Sequence, residues 1–434
     1  MPRTNFSYKD QIPLSELLLL TILIFGLYNA VFIYFTSTLF IPYGICFIFL
    51  PYIIYKSIHM TDKNEIVLLS LIILITFIGL FISPQPVKYF MERVKGFVHL
   101  VYSIVFSYFV FLFFLRYTPN KVAKIFGIVS LLIIIGCILE NYFPPFRALS
   151  NNFRHLFFRK NVYEADLRDL ILFGSVRPRL FTTEPSHVAK FFILSLFIWF
   201  TLTTNRKKYF LFALASMAGL FLIKSPVVVL IFPLVFVAEL FLFRDLKFLN
   251  ELKSFYKTGR IKKIYFRILF ILLLLVLLLT LAAFTVLSKR VEQIIQGEDL
   301  SFLMRIFAPP WISYEVLKQY PVFGIGITAK ELLISIITNV FKNFGFIVYD
   351  INAITNVLWL FVIYYGLGGS LLILFIGKKF LSRVGIYSNI FIISSLLIFS
   401  QTMGGYVSIR WWFVVFMFIL IAFFRNHHPQ YSKI

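Results

Sequence analysis

Long apolar runs recur along almost the whole chain, and they constrain its fold more than any other feature. Most are roughly 16 to 23 residues long, as at 66–84 and 268–287, which matches a helix that crosses the ~30 Å hydrocarbon core of a bilayer. The runs are apolar on all sides, whereas strands of membrane barrels are about ten residues long and alternate. Because a helix satisfies its own backbone hydrogen bonds, the runs predict an all-α integral membrane protein.

Composition supports this prediction and excludes other classes. Of the 434 residues, 60% are hydrophobic and 14% are charged, so a water-soluble fold is excluded. The net charge of +23 would suggest nucleic acid in a soluble protein, but here Lys and Arg sort by membrane side, and we expect no nucleic-acid partner. Cys46 and Cys137 lie in apolar runs, which predicts no disulfide, no zinc site and no thiol chemistry.

We predict about twelve membrane spans in one polytopic domain, residues 1–434, with a first helix that is retained rather than cleaved as a signal peptide. The approximate spans are 16–35, 38–56, 66–84, 98–117, 125–143, 188–204, 209–223, 226–243, 268–287, 354–377, 389–401 and 409–424. With the N-terminus in the cytoplasm, the basic connections 205–208, 244–267 and 378–388 are also cytoplasmic, as the positive-inside rule requires. The segment Arg244 to Arg267 holds eight Lys or Arg, and we interpret it as an anchor on anionic membrane lipid.

Two long connections then lie outside, at 144–187 and 288–353. Irregular backbone cannot face lipid, so loops of this size form surface helices or fold over a cavity between spans. In the first loop, the apolar positions Leu167, Leu170 and Ile171 predict an interfacial helix over 163–173. In the second loop, a helix is predicted over 309–321, with proline at both ends.

The spans themselves carry few ionisable residues, and those that occur lie near the predicted ends. Ion-coupled transporters need charged or broken-helix sites near the bilayer midplane, and the sequence shows no convincing one. The pattern therefore argues against ion-coupled transport.

The first outer loop is net positive on the side where Lys and Arg are normally scarce. Its cations up to the next span are Arg147, Arg154, Arg159, Lys160, Arg168, Arg177, Arg179 and Lys190, and its acids are Glu164, Asp166, Asp169 and Glu184. Positive charge on a translocated loop is consistent with an anionic ligand, such as the phosphate or pyrophosphate of a lipid carrier. The alternative is that these residues only contact lipid head groups.

The segment 177–192 brings candidate groups to the start of the sixth span. Glu184 precedes Pro185, and proline suits the first turn of a helix, so the carboxylate is placed at the helix N-terminus. It either caps the helix or, with Arg177 and Arg179, forms a polar cluster that holds a phosphate beside a carboxylate.

These residues resemble a motif of a known family. The spacing from Arg177 to Glu184, Pro185 and Ser186 is similar to the R-x-x-G-x-x-x-E-P-S motif of bacterial O-antigen polymerases and related exopolysaccharide polymerases, with Leu180 in place of the Gly. Arg305, Trp311 and PVFGIG (321–326) resemble the family's Arg, Trp and P-L-F-G-x-G series. TNVLWLFVIYYGLGG (355–369) resembles its H-N-x-x-L stretch that leads into a G-L-x-G span, and LIKSP (222–226) resembles its short polar turn.

One departure bears on the choice within this superfamily. O-antigen ligases carry His before the Asn, where this chain has Thr355 and Asn356, so polymerase is the preferred interpretation and ligase the runner-up. Asp350 is a candidate replacement for that His. His155 and His187 are interpreted as loop histidines rather than bases.

The resemblance implies a GT-C-like, metal-independent glycosyltransferase without a cofactor. It would transfer a glycan from undecaprenyl pyrophosphate to a lipid-linked repeat unit at the outer face of a bacterial cytoplasmic membrane, with a chain-length regulator protein as a further partner. Arg177 and Arg305 would bind the pyrophosphate, and Glu184 would orient the acceptor hydroxyl or act as base. The substrate-binding candidates are Arg179, His187, Asn356 and Arg410. Alternatives are a flippase for lipid-linked oligosaccharide and a membrane scaffold without chemistry.

Overall fold

The computed structural model of the protein describes residues 13–34, 40–41, 43–84, 86–158, 164, 166–205, 207–242, 273, 277, 280, 287–327, 331–348, 354–381, 384–403 and 405–427. Over these residues the fold is all-α, apart from one antiparallel pair of two-residue strands, β1 (Ile33–Tyr34) and β2 (Phe40–Ile41). The predicted fold class is therefore confirmed at this level.

The helices follow one another with short connections. They are α1 (Leu14–Asn29), α2 (Gly44–Ser57), α3 (Lys63–Ile82), α4 (Phe90–Leu115), α5 (Pro119–Tyr142), α6 (Pro144–Phe158), α7 (Asp166–Phe173), α8 (Pro185–Leu202), α9 (Lys208–Ile223), α10 (Ile231–Phe241), α11 (Ser288–Ile295), α12 (Ala308–Gln319), α13 (Glu331–Asn343), α14 (Val357–Leu381), α15 (Ile386–Ser400) and α16 (Ile409–His427). A π-helical segment, Leu303–Phe307, leads directly into α12.

Six helices in the described part are long and apolar enough to cross a membrane, namely α3, α4 with the turn before it, α5, α8, α14 and α16. Shorter apolar helices occupy five of the other predicted spans. The predicted span 268–287 and the basic segment 244–267 lie almost entirely outside the described residues. The count of twelve spans thus remains a prediction, while the multi-pass, helical character follows from the six long helices.

Polar contacts divide the helix termini between two ends of the bundle. At one end, the Tyr43 and Ser408 hydroxyls are 3.0 Å apart and the Ser83 hydroxyl donates to the Ile325 carbonyl at 2.7 Å. The loops 144–187 and 288–353 lie at this end, which we call the loop end. At the opposite end, Arg116 at the end of α4 pairs with Glu16 in the first turn of α1 at 3.1 Å. Successive long helices therefore run in alternating directions.

Helix α8 lies in the centre of the bundle, since 78% of its apolar window is buried, compared with 22% for α3. It packs on α5, α9, α10 and α16. The residue that precedes α8, Glu184, is thus carried on an element that the surrounding helices hold in place. A side chain here has a fixed position relative to the bundle, as a functional site requires.

Both predicted loop helices are present. The 163–173 prediction corresponds to α7, on which Leu167, Leu170 and Ile171 are all exposed, and the 309–321 prediction corresponds to α12. The sequence prediction missed α6 and α13, because amphipathic helices in loops do not stand out against the apolar spans. In the second loop, α12 and α13 enclose a separate small core that includes Ile312, Val316, Leu333, Ile337 and Phe341.

Helix α14 is broken near its middle, contrary to the expectation that the spans hold no broken helix. Gly366 has φ 62° and ψ −169°, a conformation open essentially to glycine alone. The 321–326 segment supplies the missing hydrogen bonds: Ile325 N–H donates to the Ile363 carbonyl at 3.0 Å, and Leu367 N–H donates to the Pro321 carbonyl at 2.8 Å. The break is therefore closed by the loop and offers no open backbone groups of the kind that bind ions in transporters.

Candidate functional site

The segment from Gly174 to Glu184 leads from α7 into the loop end of α8. Pro185 is the first residue of α8, as predicted, and Glu184 occupies the N-cap position with φ −150° and ψ 155°. Its carboxylate makes no capping hydrogen bond to the described backbone, so the side chain is used elsewhere. The interpretation of Glu184 as a simple helix cap is not supported by this geometry.

The Glu184 carboxylate faces three polar side chains of α8. The Ser186 hydroxyl donates to it, His187 Nε2 lies 3.3 Å away and Lys190 Nζ lies 4.0 Å away. The second ring nitrogen of His187 is 2.9 Å from the Thr183 hydroxyl, which fixes the ring orientation. Positions 184, 187 and 190 are three residues apart and so share one face of the helix.

The charge of Glu184 is strongly favoured in this setting. Burial alone would raise the pKa of its carboxyl group, but His187, Lys190, the Ser186 hydroxyl and Arg305 lower that pKa to about 2. The group is therefore an anion at every physiological pH. A carboxylate with so low a pKa is a weak base, so it is better suited to accepting a hydrogen bond than to removing a proton in the ground state.

Arg305 reaches the same region from the second loop, on the π-helical segment Leu303–Phe307. Burial lowers the pKa of Arg305, proximity to Glu184 and Asp299 raises it, and proximity to Arg177 lowers it. Its Nε is buried and has no hydrogen-bond partner within the described part of the chain. Two loops that are far apart in sequence thus bring a carboxylate and a guanidinium group into electrostatic contact, and single-turn π-helices are frequent at functional sites.

Two further arginines lie near Arg305, and each forms a buried ion pair. Arg177 contacts Asp169 with an N to O distance of 2.8 Å, and Asp169 is fully buried. Arg290 contacts Asp299 at 2.7 Å. Burial lowers the pKa of Arg290 to about 10, with proximity to Arg305 and Arg177 also lowering it and Asp299 opposing this effect. Arg177 therefore lies beside Arg305 as predicted, but its guanidinium group is already engaged.

The remaining candidates occupy supporting positions. Arg179 pairs with Asp166 on α7. Asn356 is fully buried, donates to the Arg305 carbonyl at 3.0 Å and accepts from Leu358 N–H at 3.2 Å, so it joins the start of α14 to the π-helical segment.

Arg410, at the start of α16, donates to the carbonyls of Leu27 and Tyr28 at 3.2 and 2.5 Å and so stabilises the last turn of α1. It also lines a cavity of about 20 Å³ together with His187 and Lys190, which is about the room that one water molecule needs. Arg410 is thus close to the site, while its described hydrogen bonds are structural. The predicted alternative base Asp350 lies outside the described residues, and His155 is a surface residue beside Glu164.

We call this group the loop-end cluster. Its members are Arg177, Arg290, Arg305, Lys190, Arg410, Asp169, Asp299, Glu184 and His187. With His187 neutral, five cations face three carboxylates, so the cluster is suited to an anion. No group of His, Cys, Asp or Glu among the described residues could hold a metal ion.

Sequence analysis missed four of these residues: Lys190, Arg290, Asp169 and Asp299. The spacing of three between Glu184, His187 and Lys190 was a usable signal, because it places them on one helical face. The two aspartates had no such signal, since pairing between a loop and its partner depends on the tertiary fold.

A larger apolar cavity of about 310 Å³ lies between α3, α14, α15 and α16. Its lining includes Val357, Phe361, Leu396, Trp412 and Phe416. Val357 follows Asn356 directly, so the cavity begins next to the residue that binds the Arg305 carbonyl. Comparison with protein-family models, curated proteins and solved structures finds no significant match to this chain, so functional reasoning depends on the site itself.

Proposed function

We propose that the protein is a metal-independent membrane glycosyltransferase that polymerises lipid-linked oligosaccharide. Its substrates would be undecaprenyl pyrophosphate carrying a glycan and a second lipid-linked repeat unit, at the outer face of a bacterial cytoplasmic membrane. The observation that carries this proposal is the meeting of Glu184 and Arg305, from two separate loops, within a cluster of surplus positive charge. The sequence motifs that resemble those of O-antigen polymerases are a second, independent support.

The proposed reaction assigns each group a task. The bond between the anomeric carbon and the pyrophosphate oxygen breaks, and its electron pair stays on the pyrophosphate. Arg305 offsets this developing charge, with Lys190 beside it and the paired Arg177 and Arg290 adding positive potential. The acceptor hydroxyl oxygen forms the new glycosidic bond and then loses its proton to water.

Glu184 accepts a hydrogen bond from the attacking hydroxyl and so orients it. Its low pKa fits this role, because bond formation makes the hydroxyl proton acidic and a strong base is not required. Asn356 positions the segment that carries Arg305, and His187 holds the Glu184 carboxylate. The apolar cavity beside Val357 offers space for hydrocarbon close to the pyrophosphate site.

A reconstitution experiment tests the proposal. Purified protein in liposomes is given undecaprenyl pyrophosphate with one repeat unit, and the products are resolved by length. Longer glycans support the polymerase. Transfer only to a lipid A-core acceptor would indicate the ligase, and movement across the bilayer without new bonds would indicate the flippase. Arg177→Ala and Arg305→Ala proteins that insert normally and still give full-length polymer would refute the pyrophosphate assignment.

A further inference from the structure

The backbone just before Glu184 adopts a conformation that its residues disfavour. Leu180 has φ 40° and Phe181 has φ 61°, so two consecutive residues with side chains lie in the left-handed region. Leu180 occupies the position at which the similar motif has glycine. Such a conformation persists only where the surroundings hold it in place.

Glu140, in the last turn of α5, holds one side of this segment. Its carboxylate is 4% exposed and accepts from the backbone N–H of Arg179 at 3.2 Å and of Leu180 at 2.6 Å. The Ser150 hydroxyl on α6 donates to the same carboxylate at 3.3 Å and accepts from Phe181 N–H at 3.1 Å. Three successive amides are thus hydrogen-bonded by two side chains.

Arg154 on α6 holds the other side of the segment. It is fully buried and donates from Nε to the Thr182 carbonyl at 2.9 Å and from a terminal nitrogen to the Thr183 carbonyl at 3.4 Å. Asn151, one turn earlier, accepts from the same guanidinium group at 2.9 Å and fixes its orientation. The two carbonyls belong to the residues immediately before Glu184.

We infer that Glu140, Ser150 and Arg154 form a clamp that fixes the backbone of 179–183 and thereby positions the Glu184 carboxylate opposite Arg305. These are positioning residues, and this role rests on the proposed function of Glu184. Burying a carboxylate and a guanidinium group is costly unless each is well hydrogen-bonded, and here both are bonded to the segment that carries the site. Displacement of such a group by 1 Å reduces a reaction rate by roughly 100-fold.

Hydrogen exchange of the purified protein tests the clamp directly. In the wild type, the amides of Arg179, Leu180 and Phe181 should exchange slowly. In Glu140→Gln and Arg154→Met, their exchange should accelerate about 10-fold or more. Glu239→Gln is the matched control, because it alters a carboxylate that is 5% exposed at the opposite end and accepts from the Tyr209 hydroxyl at 2.7 Å.

Steady-state kinetics test the positioning role on the same proteins. Because Arg305 is untouched, KM for the lipid-linked donor should stay within about twofold while kcat falls about 10- to 100-fold, and Arg154→Lys should recover part of the loss. Unchanged exchange at 179–181 in both variants would overturn the clamp. Faster exchange with wild-type kcat would overturn positioning. Inactivity of the wild-type protein would refute the proposed function instead, while exchange would still decide on the clamp.

Discussion

The two ends of the bundle use charge in different ways. At the opposite end, charged groups close on helix termini: Arg116 binds Glu16, to which the Tyr117 hydroxyl also donates, and Arg425 donates to the Thr201 carbonyl. At the loop end, five cations gather around three carboxylates, and the Nε of Arg305 has no partner among the described residues.

This difference separates assembly from function. Paired charges at helix termini connect elements that would otherwise rely on apolar packing alone. An unbalanced group of cations opposes its own formation by repulsion, so its presence indicates an anionic ligand. The loop end is joined to the bundle partly by backbone hydrogen bonds at the α14 break, which leaves its cationic side chains available for binding.

The α14 break gives the largest expected effect. A Cβ at Gly366 would lie 2.5 Å from the Gly324 nitrogen and 2.7 Å from the Val322 oxygen, and the backbone there is one that alanine disfavours. Gly366→Ala should therefore destabilise the protein by roughly 5 kcal/mol, measured by thermal unfolding in detergent. Gly377→Ala in the same helix is the control, since nothing lies within 4 Å of its Cβ, and equal unfolding temperatures of the two variants would contradict the account.

Breaking a buried pair at the opposite end should affect stability alone. Arg116→Met leaves the Glu16 carboxylate buried without its cation, at an expected cost of about 3 to 5 kcal/mol in unfolding free energy. Activity per folded molecule should stay at the wild-type level. A selective loss of activity at unchanged stability would abolish the distinction between the two ends.

Arg305→Ala should show the reverse pattern. Loss of a donor that stabilises the leaving pyrophosphate should reduce polymerisation about 100- to 1000-fold, with little change in unfolding temperature. Polymer length in cells and the rate with purified protein both measure this. Lys318→Ala is the control from the same loop, because Lys318 is exposed and pairs only locally with Glu315 at 2.8 Å. Comparable activity of the two variants would count against the site.

Glu184→Gln should have the smallest effect, about a 10-fold loss of rate, because glutamine still accepts a hydrogen bond. The pKa of about 2 is below the ordinary value of 4.5, so ionisation of Glu184 stabilises the fold above that ordinary value and is lost as pH falls toward 2. The stability difference between wild type and variant should thus be constant from pH 8 to pH 5 and shrink below about pH 4.5. A 1000-fold loss with disappearance of an acidic limb near pH 6 would indicate a base instead.

Much of the fold was accessible from the sequence. Apolar runs predict the long helices, because in a membrane-type fold length and hydrophobicity alone determine a span. The start of α8 at Pro185 follows from local capping chemistry. The break in α14 was missed because its cause lies elsewhere in the chain: only the approach of 321–326 makes a break at Gly366 favourable.

The site was predicted in part. The proximity of Arg177, Glu184 and Arg305 was expected, and the structure brings Glu184 and Arg305 together with Arg177 beside Arg305. The engagement of Arg177 by Asp169, and of the 179–183 backbone by Glu140 and Arg154, was not predicted. These contacts join residues 8 to 40 positions apart through tertiary packing, for which a single sequence holds no periodic signal.

Binding of a pyrophosphate lipid tests the central claim most directly. A short-chain polyprenyl pyrophosphate is titrated by calorimetry into purified wild-type, Arg305→Ala and Arg116→Met proteins in detergent. The account predicts saturable binding to the wild type and to Arg116→Met, and an affinity at least 10-fold weaker for Arg305→Ala. Equal affinity for all three proteins, or no binding to the wild type, would contradict it.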